Sequence, residues 1–269
     1  MLPVGVEATK GLAPGMRVAL ADAASHRHAI LEVSDVYAAE VDCHAWAWFG
    51  TKSRDHPGIV RLLSRDSHFV GGAVTLLQRL PAPDPRYDLP PDRLRAIFAG
   101  KGWRRIVGFH SRNLLHRGHE HIQLTALERV HADGLFISPI VGRGRAGDFI
   151  PKLVLAGYQA MLDHRLYPTD RVVIGGFMSY PRFCGSREAV FTALCRKNMG
   201  CSHFIVGRDH TGVDDLYGAD ENRRLFERLG DIGIEPVFFE PIGYDPASGR
   251  YVASDNDTRV LPISGTAIR

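Results

Sequence analysis

From residue 103 onward, short apolar runs alternate with longer amphipathic stretches in a regular order. Strands are predicted at 105–109, 134–140, 171–176, 202–207 and 234–239, and helices at about 116–132, 148–163, 185–199 and 218–231. Apolar strands separated by helices imply a parallel, doubly wound, Rossmann-like α/β sheet. Such sheets bind ligands beyond the carboxyl ends of their strands. The polar clusters 110–119, 142–148, 182–188 and 207–212 follow strands or precede helices, so they are expected to converge on one edge.

The first 80 residues are less regular. Gly11-Leu-Ala-Pro-Gly15 marks a turn, 28–50 alternates weakly, and Asp55-His-Pro-Gly58 marks another turn. Residues 59–64 and 68–79 read as short strands or as a helix plus a strand, which together suggest a small, mainly β domain. Five prolines (Pro81, Pro83, Pro85, Pro90 and Pro91) then interrupt the chain. A helix or central strand does not survive such a run. The expected division is 1–85 and 86–269, with a helix opening at Pro91 and closing at Gly100.

Composition adds bounds. A chain of 269 residues with 45% hydrophobic and 23% charged residues is an ordinary globular protein. The net charge of +3 argues neither for nor against a nucleic-acid partner, and no Lys/Arg run marks a basic patch; the expected partners are ligands and not nucleic acid. Cys43, Cys184, Cys195 and Cys201 form no C-x-x-C pair, which argues against a structural zinc site and fits a reducing compartment. No signal-peptide pattern opens the chain and no run approaches the ~18–20 apolar residues of a membrane span, so a cytoplasmic protein without a membrane partner is the expectation.

The chemistry concentrates in 103–123. An apolar strand breaks into a polar turn with Arg112 and Asn113, then enters a helix whose first turn carries His116 and His119. Free N–H groups and the helix dipole make such a place an anion site. An Arg, an Asn and two His suggest a triphosphate, with imidazole N–H groups stabilising charge on a leaving pyrophosphate. Gly118 removes a side chain where a ligand could approach the helix. A metal pair and a surface helix start with incidental histidines are the alternatives. Gly207-Arg208-Asp209-His210-Thr211-Gly212 suits a nucleotide or a plain surface turn. Gly185-Ser186-Arg187-Glu188 offers an anion contact, or a Ser-capped helix with a solvated Arg–Glu pair. Gly142 to Asp148 is either a phosphate-contacting loop or a connection with Asp148 as N-cap; Ser264-Gly265-Thr266 either contacts phosphates or caps a last turn. Phe238 and Phe239 read as core.

At these residues the sequence resembles the sulfate adenylyltransferases (ATP sulfurylases), nucleotidyltransferases with an H-x-G-H-type motif. The resemblance is carried by Tyr87 to Phe98, Gly102 to Glu120, Gly185 to Ala189, Arg196 to His210 and Ile263 to Arg269, in the family's order, and extends over about 50–269. Gly71-Gly72 with Asp55 to Gly58 resembles the end of a PUA-like domain. The resemblance implies a shortened PUA-like domain before the nucleotidyltransferase domain, and a role in sulfate assimilation. It implies attack of sulfate on the α-phosphate of MgATP, with Mg2+ arriving on ATP and no protein-bound metal. Ser111, Arg112 and Asn113 match the active-site triplet. The resemblance implies that Arg112 binds sulfate, that Asn113 meets the phosphates, and that His116 and His119 stabilise the transition state. It further implies that Gly207, Arg208, Asp209, His210 and Ile242 hold the nucleotide, and that Thr211 presents a backbone N–H to sulfate.

Three positions depart from the family pattern: His110 replaces Gln, Ser186 replaces Pro, and Thr211 replaces Ala. His110 and Arg187 are therefore candidate acceptor contacts, and His110 also touches the nucleotide set. A donor-rich, titratable His110 would suit a more highly charged acceptor. The alternatives to sulfate are another oxyanion (a phosphonate, phosphate ester or carboxylate), or a non-catalytic nucleotide-binding relative. The cysteine cluster of bacterial members is missing at Tyr244 to Arg250, and the chain is expected to stop where the family continues into a small C-terminal domain. Family members are usually homo-oligomers; the sequence leaves the oligomeric state open.

Overall fold

A computed structural model describes residues 2–38, 41–63, 68–142, 144, 148–207, 216–218, 220–254 and 259–263. The chain divides into two units, Met1–Pro81 and Ala82–Arg269.

The first unit runs β1 (Leu2–Val4), α1 (Val6–Thr9), β2 (Arg17–Ala21), β3 (Arg27–Ala38), α2 (Val41–Phe49), α3 (Pro57–Leu63) and β4 (His68–Leu76). Its strands form one antiparallel sheet in the order β1-β4-β3-β2. Ala29, Leu31 and Val33 alternate inward along β3, and Leu31 and Val33 meet Val70 in a small core. The described part of the apolar run, residues 59–63, is helical, and the predicted turn at 55–58 is its entry, with Pro57 at the first helical position. The β3–β4 register shifts between Val33 and Asp35, and Gly72 sits opposite with φ +156°. A Cβ at Gly72 would overlap the Glu32 carbonyl, so only glycine permits this bulge.

In the second unit a 3-10 turn at Pro85–Tyr87 leads to α4 (Pro91–Gly100), β5 (Ile106–Ser111), α5 (Arg117–Arg129), β6 (Gly134–Pro139) and α6 (Pro151–Asp163). Then come β7 (Val172–Ile174), α7 (Ser186–Asn198), β8 (His203–Val206), α8 (Glu221–Leu229) and β9 (Glu235–Phe238). These strands are all parallel, in the order β7-β6-β5-β8-β9. Alternation along them builds two cores. Val107, Phe109, Leu135, Ile137, Ile205 and Val237 face α5 and α6, which contribute Ala126, Leu127, Val154 and Tyr158. Ile106, Phe136, Phe204 and Val206 face α4, α7 and α8, which contribute Leu94, Phe98, Ala189, Ala193 and Phe226. Helices on both faces make the doubly wound α/β fold. The chain reverses direction across the sheet between β5 and β8, and β5 therefore delivers its last residues to the switch point.

Most element ends shift by a few residues from the sequence reading, and three differences bear on the site. The strand predicted at 105–109 extends to Ser111, because His110 and Ser111 pair with Ser138 and Pro139 of β6. The helix predicted from 148 starts at Pro151 with Ile150 as N-cap, so Asp148 is not its cap. The third difference is a sheet the periodicity did not show: β10 (Ile242–Asp245), β11 (Arg250–Ala253) and β12 (Leu261–Pro262), antiparallel in the order β11-β10-β12. Its hairpin turn is held by Asp245, whose carboxylate accepts from Ala247 N–H (2.9 Å) and Ser248 Oγ–H (2.7 Å). Among the described residues no helix is long and apolar enough to cross a membrane.

Candidate active site

The strand β5 ends in a turn that closes on itself. Asn113 N–H donates to Ser111 Oγ at 3.1 Å, and Ser111 Oγ–H donates to the Asn113 carbonyl at 3.2 Å. The Ser111 carbonyl accepts from Ile140 N–H at 2.8 Å, tying the turn to the end of β6. Ser111 is buried, so its side chain shapes the turn, while Arg112 and Asn113 stand half-buried beside it.

His116 is the N-cap of α5, with extended backbone (φ −140°, ψ 167°) and no side-chain cap bond. His119 lies in the first helical turn. The two rings stack, with centroids 3.8 Å apart and planes 23° from parallel. His119 also meets the Phe109 ring edge-on at 5.5 Å. Gly118 leaves room for the stack: a Cβ there would lie 3.1 Å from His116 Nδ1, so the ring would have to yield by a few tenths of an ångström. The space expected for a ligand is filled by the His116 ring. Burial lowers the pKa of both imidazoles. His119 falls to about 3, through burial first and the neighbouring His116 second, against an opposing contact with the Leu114 carbonyl. Both rings are therefore neutral at pH 7, each with one N–H, and that of His119 is directed at the Leu114 carbonyl.

Arg112 lies over the Phe183 ring, with Cζ 5.1 Å from the centroid. It lines a cavity of about 240 Å³ together with Ile140, Gly142, Gly144, Asp148 and Pro181. Three of the polar clusters thus meet where β5, β6 and the segment before α7 converge. Gly142 lets two backbones cross, since a Cβ there would collide with the Ser179 carbonyl. Phe183 has φ +61°, a left-handed conformation that costs a non-glycine residue about 1 kcal/mol or more. Its carbonyl accepts from Tyr217 Oη–H at 2.8 Å.

The entry to α7 corrects the Ser-cap reading. Gly185, at φ +54°, is the N-cap, and Ser186 is a buried first residue without a cap bond. Glu188 is buried rather than solvated. Its carboxylate accepts from the backbone N–H of Arg182 (2.9 Å) and Cys184 (3.2 Å). Burial raises its pKa and these N–H donors oppose the rise. Arg187 is half-buried in the same helical turn and does not line the Arg112 cavity.

His110 occupies the other face of the sheet from His119. Its Nδ1 accepts from Nη2 of Arg196 at 2.9 Å, and its ring meets Phe177 edge-on at 6.0 Å. Gly207 directly follows β8, and its carbonyl accepts from Asn222 Nδ2–H at 3.1 Å. Ile242 opens β10, half-buried and paired with Ala253. The same hairpin reaches α5 through Tyr251, whose ring lies 6.3 Å from that of His121. Arg208, Asp209, His210 and Thr211 lie outside the described residues, as do Arg143, Arg145 and Ser264 to Thr266. Among the described residues no group of three or more His, Cys, Asp or Glu is arranged to hold a metal ion.

The ATP-sulfurylase family profile matches residues 85–269, and a PUA-like domain profile matches residues 1–79. The chain belongs to the ATP-sulfurylase family. It is 41% identical over 279 residues to the sulfate adenylyltransferase of Symbiobacterium thermophilum, covering 100% of this chain and 70% of that protein. It is 40% identical over 250 residues to that of Halothermothrix orenii, covering 90% of this chain and 64% of the relative. It is 39% identical over 243 residues to that of Pyrococcus abyssi, covering 89% and 63%. The chain thus spans 63 to 70% of the length of these three relatives. A solved structure described as a hexameric APS kinase from Thiobacillus denitrificans superposes on 99% of this chain and covers 47% of its own, with a TM-score of 0.73 at 22% identity, which shows a shared fold.

Within this ATP-sulfurylase fold, sequence reasoning passed over Phe183, Phe177 and Arg196. Phe183 and Phe177 carry no signal, since an aromatic in an irregular segment reads as core. Arg196 had one: it lies ten residues after Ser186 in a helix packed on the sheet, where a solvated arginine is not expected.

Proposed function

We propose that this chain transfers AMP from MgATP to sulfate, forming adenylyl sulfate and pyrophosphate. A sulfate oxygen attacks the α-phosphorus, forming a P–O bond. The bond between the α-phosphorus and the oxygen bridging to the β-phosphate breaks, and its electron pair leaves on pyrophosphate. No proton transfer and no covalent enzyme intermediate is needed, so the protein's task is positioning and charge stabilisation. The observation behind this reading is the stacked, neutral His116–His119 pair at the start of α5. An N–H of His116 beside the helix N-terminus, joined by a second N–H of His119 when that ring takes a proton, meets the negative charge that grows on the leaving phosphates. An arriving triphosphate also favours the protonated imidazole, so the pair strengthens as donor when ATP binds.

The other roles follow position. Arg112, held over Phe183 and opening into the 240 Å³ cavity, draws the acceptor anion; the family pattern, rather than this cavity, adds His110, Arg187 and Thr211 as acceptor contacts. Asn113 meets the phosphates from the turn that Ser111 shapes. Gly207, Arg208, Asp209, His210 and Ile242 take the nucleoside. Mg2+ belongs to the substrate as MgATP, and a cytoplasmic location suits the supply of ATP.

The deciding experiment is ATP-dependent pyrophosphate release with sulfate, with molybdate, and with a panel of phosphonates and phosphate esters. Strong release with sulfate is expected. Release only with a phosphonate or phosphate ester would replace sulfate as the acceptor, and ATP binding without turnover on any acceptor would make the chain a nucleotide-binding relative.

A further inference from the structure

Residues 178–184, just ahead of α7, form neither helix nor strand. Their backbone N–H groups have no ladder to join and need acceptors from elsewhere. Glu188, the third residue of α7 and only 3% exposed, folds back over this segment. Its carboxylate takes up three successive N–H groups. Arg182 N–H meets both oxygens, at 2.9 and 3.1 Å, Cys184 N–H donates at 3.2 Å, and Phe183 N–H adds to the stabilisation of the charge. Successive N–H groups turned toward one anion form a nest, an arrangement that a left-handed residue creates. The Arg182 guanidinium adds attraction from a distance, while its Nη1 donates to Ser179 Oγ and the Tyr180 carbonyl.

Packing alone does not call for a charge at a buried position, where a carboxylate is costly unless its oxygens are met. What the charge achieves here is conformational. It holds the N–H groups of both peptides that flank Phe183, while Tyr217 Oη–H holds the Phe183 carbonyl at 2.8 Å. The left-handed backbone of Phe183 (φ +61°) is a strained state that persists only where its surroundings over-determine it. The ring so placed is the one beneath Arg112, 5.1 Å from its Cζ. Arg112 and Pro181, the latter from the same segment, line the cavity of about 240 Å³. Glu188 does not line it, so a direct contact with the acceptor is not its role.

We propose that Glu188 is a positioning residue for the acceptor end of the site: its carboxylate fixes the backbone around Phe183 and, through that ring, the position of Arg112. The proposal rests on the reading in which Arg112 draws the acceptor anion. It assigns the Glu188 charge to acceptor affinity and not to the nucleotide, since the segment it holds carries Phe183 and Pro181 and stands apart from the His116–His119 pair that serves the leaving phosphates.

The test is a double-mutant cycle in the full chain, read as separate KM values for sulfate and for ATP in pyrophosphate release. Glu188→Gln keeps the size of the side chain but removes the charge and turns an NH2 toward one of the held N–H groups. It is expected to raise the KM for sulfate roughly five- to thirtyfold, the effect of a buried donor left unmatched, with the KM for ATP within about twofold. Phe183→Leu should raise the same KM, and Glu188→Gln in that background should add less than about twofold, because both act through one ring. A multiplicative rise would show that Glu188 reaches the acceptor by another route, and equal rises in both KM values would make it merely structural; either overturns the proposal, as does an unchanged sulfate KM. If Glu188→Gln does not fold, Glu188→Asp, which withdraws the charge by one methylene, takes its place in the cycle; if neither folds, the residue is structural and the proposal falls. The unmodified protein is assayed first. Pyrophosphate release only with another oxyanion would end the sulfate reading, and the cycle run on that acceptor would still decide the role of Glu188. No release with any acceptor would end the adenylyl-transfer reading and the proposal with it.

Discussion

The rings of His116 and His119 lie face to face, 3.8 Å between centroids, with His119 enclosed between that ring and Phe109. Two imidazoles this close cannot both carry charge at little cost, and burial already disfavours charge on either. The free protein therefore holds them as a neutral pair.

A stability profile follows from that neutrality. An unfolded histidine titrates near 6.5, whereas folded His119 titrates near 3. Below pH 6.5 the unfolded chain binds the extra proton, so stability is complete above about 6.5 and falls as pH drops toward 3. Between pH 6.5 and 5 the His119 share is about 2 kcal/mol. The urea midpoint should fall from pH 7 to pH 5 far more in the unmodified protein than in His119→Asn, which cannot titrate. Equal pH slopes in the two proteins would show that His119 is not held neutral.

Removing either ring should cost catalysis more than folding. His116→Ala and His119→Ala are each expected to lower the rate of ATP-dependent pyrophosphate release by roughly 10²–10³-fold, the usual loss when one charge-stabilising donor is deleted. The double variant should lose much less than the product of the two, because the stacked rings act as a unit. Strict multiplicativity would argue for independent roles.

Gly118→Ala separates helix stability from ring placement. Alanine favours an exposed helix interior over glycine by about 1 kcal/mol, but here its Cβ would press on His116 Nδ1 at 3.1 Å. The melting temperature should stay within a few degrees while kcat/KM for ATP falls at least tenfold. Unchanged kinetics would mean that the His116 ring has no required position.

Phe183→Leu tests the platform beneath Arg112. Leucine keeps apolar bulk and loses the aromatic face, a cation–π interaction of about 0.5–2 kcal/mol. The KM for the acceptor should rise about 2- to 30-fold at unchanged KM for ATP. Equal changes in both would show that Phe183 supports the whole site rather than Arg112.

Much of the fold was readable because its signals are local. The strand and helix periods from residue 103 onward, the proline run before α4 and the polar residues after each strand needed no long-range information. The Arg112, Asn113, His116 and His119 cluster was readable for the same reason: a strand–turn–helix unit places its own residues. The β10–β12 sheet was missed because strands of two to four residues carry too little alternation. The Glu188 carboxylate was misread because its partners are backbone N–H groups of the preceding loop, which composition does not reveal.

The sequence by itself determined the parallel α/β order, the polar turn after β5 and the identity of the two histidines at the start of α5, since these depend on residues within one helical turn or one strand of each other. Tertiary structure alone decided that the histidines stack as a neutral pair over Gly118, that Phe183 supports Arg112, and that Arg196 reaches His110 across 86 residues of chain. Each depends on desolvation or on a contact between distant segments, and burial and long-range approach exist only once the sheet has closed its two cores.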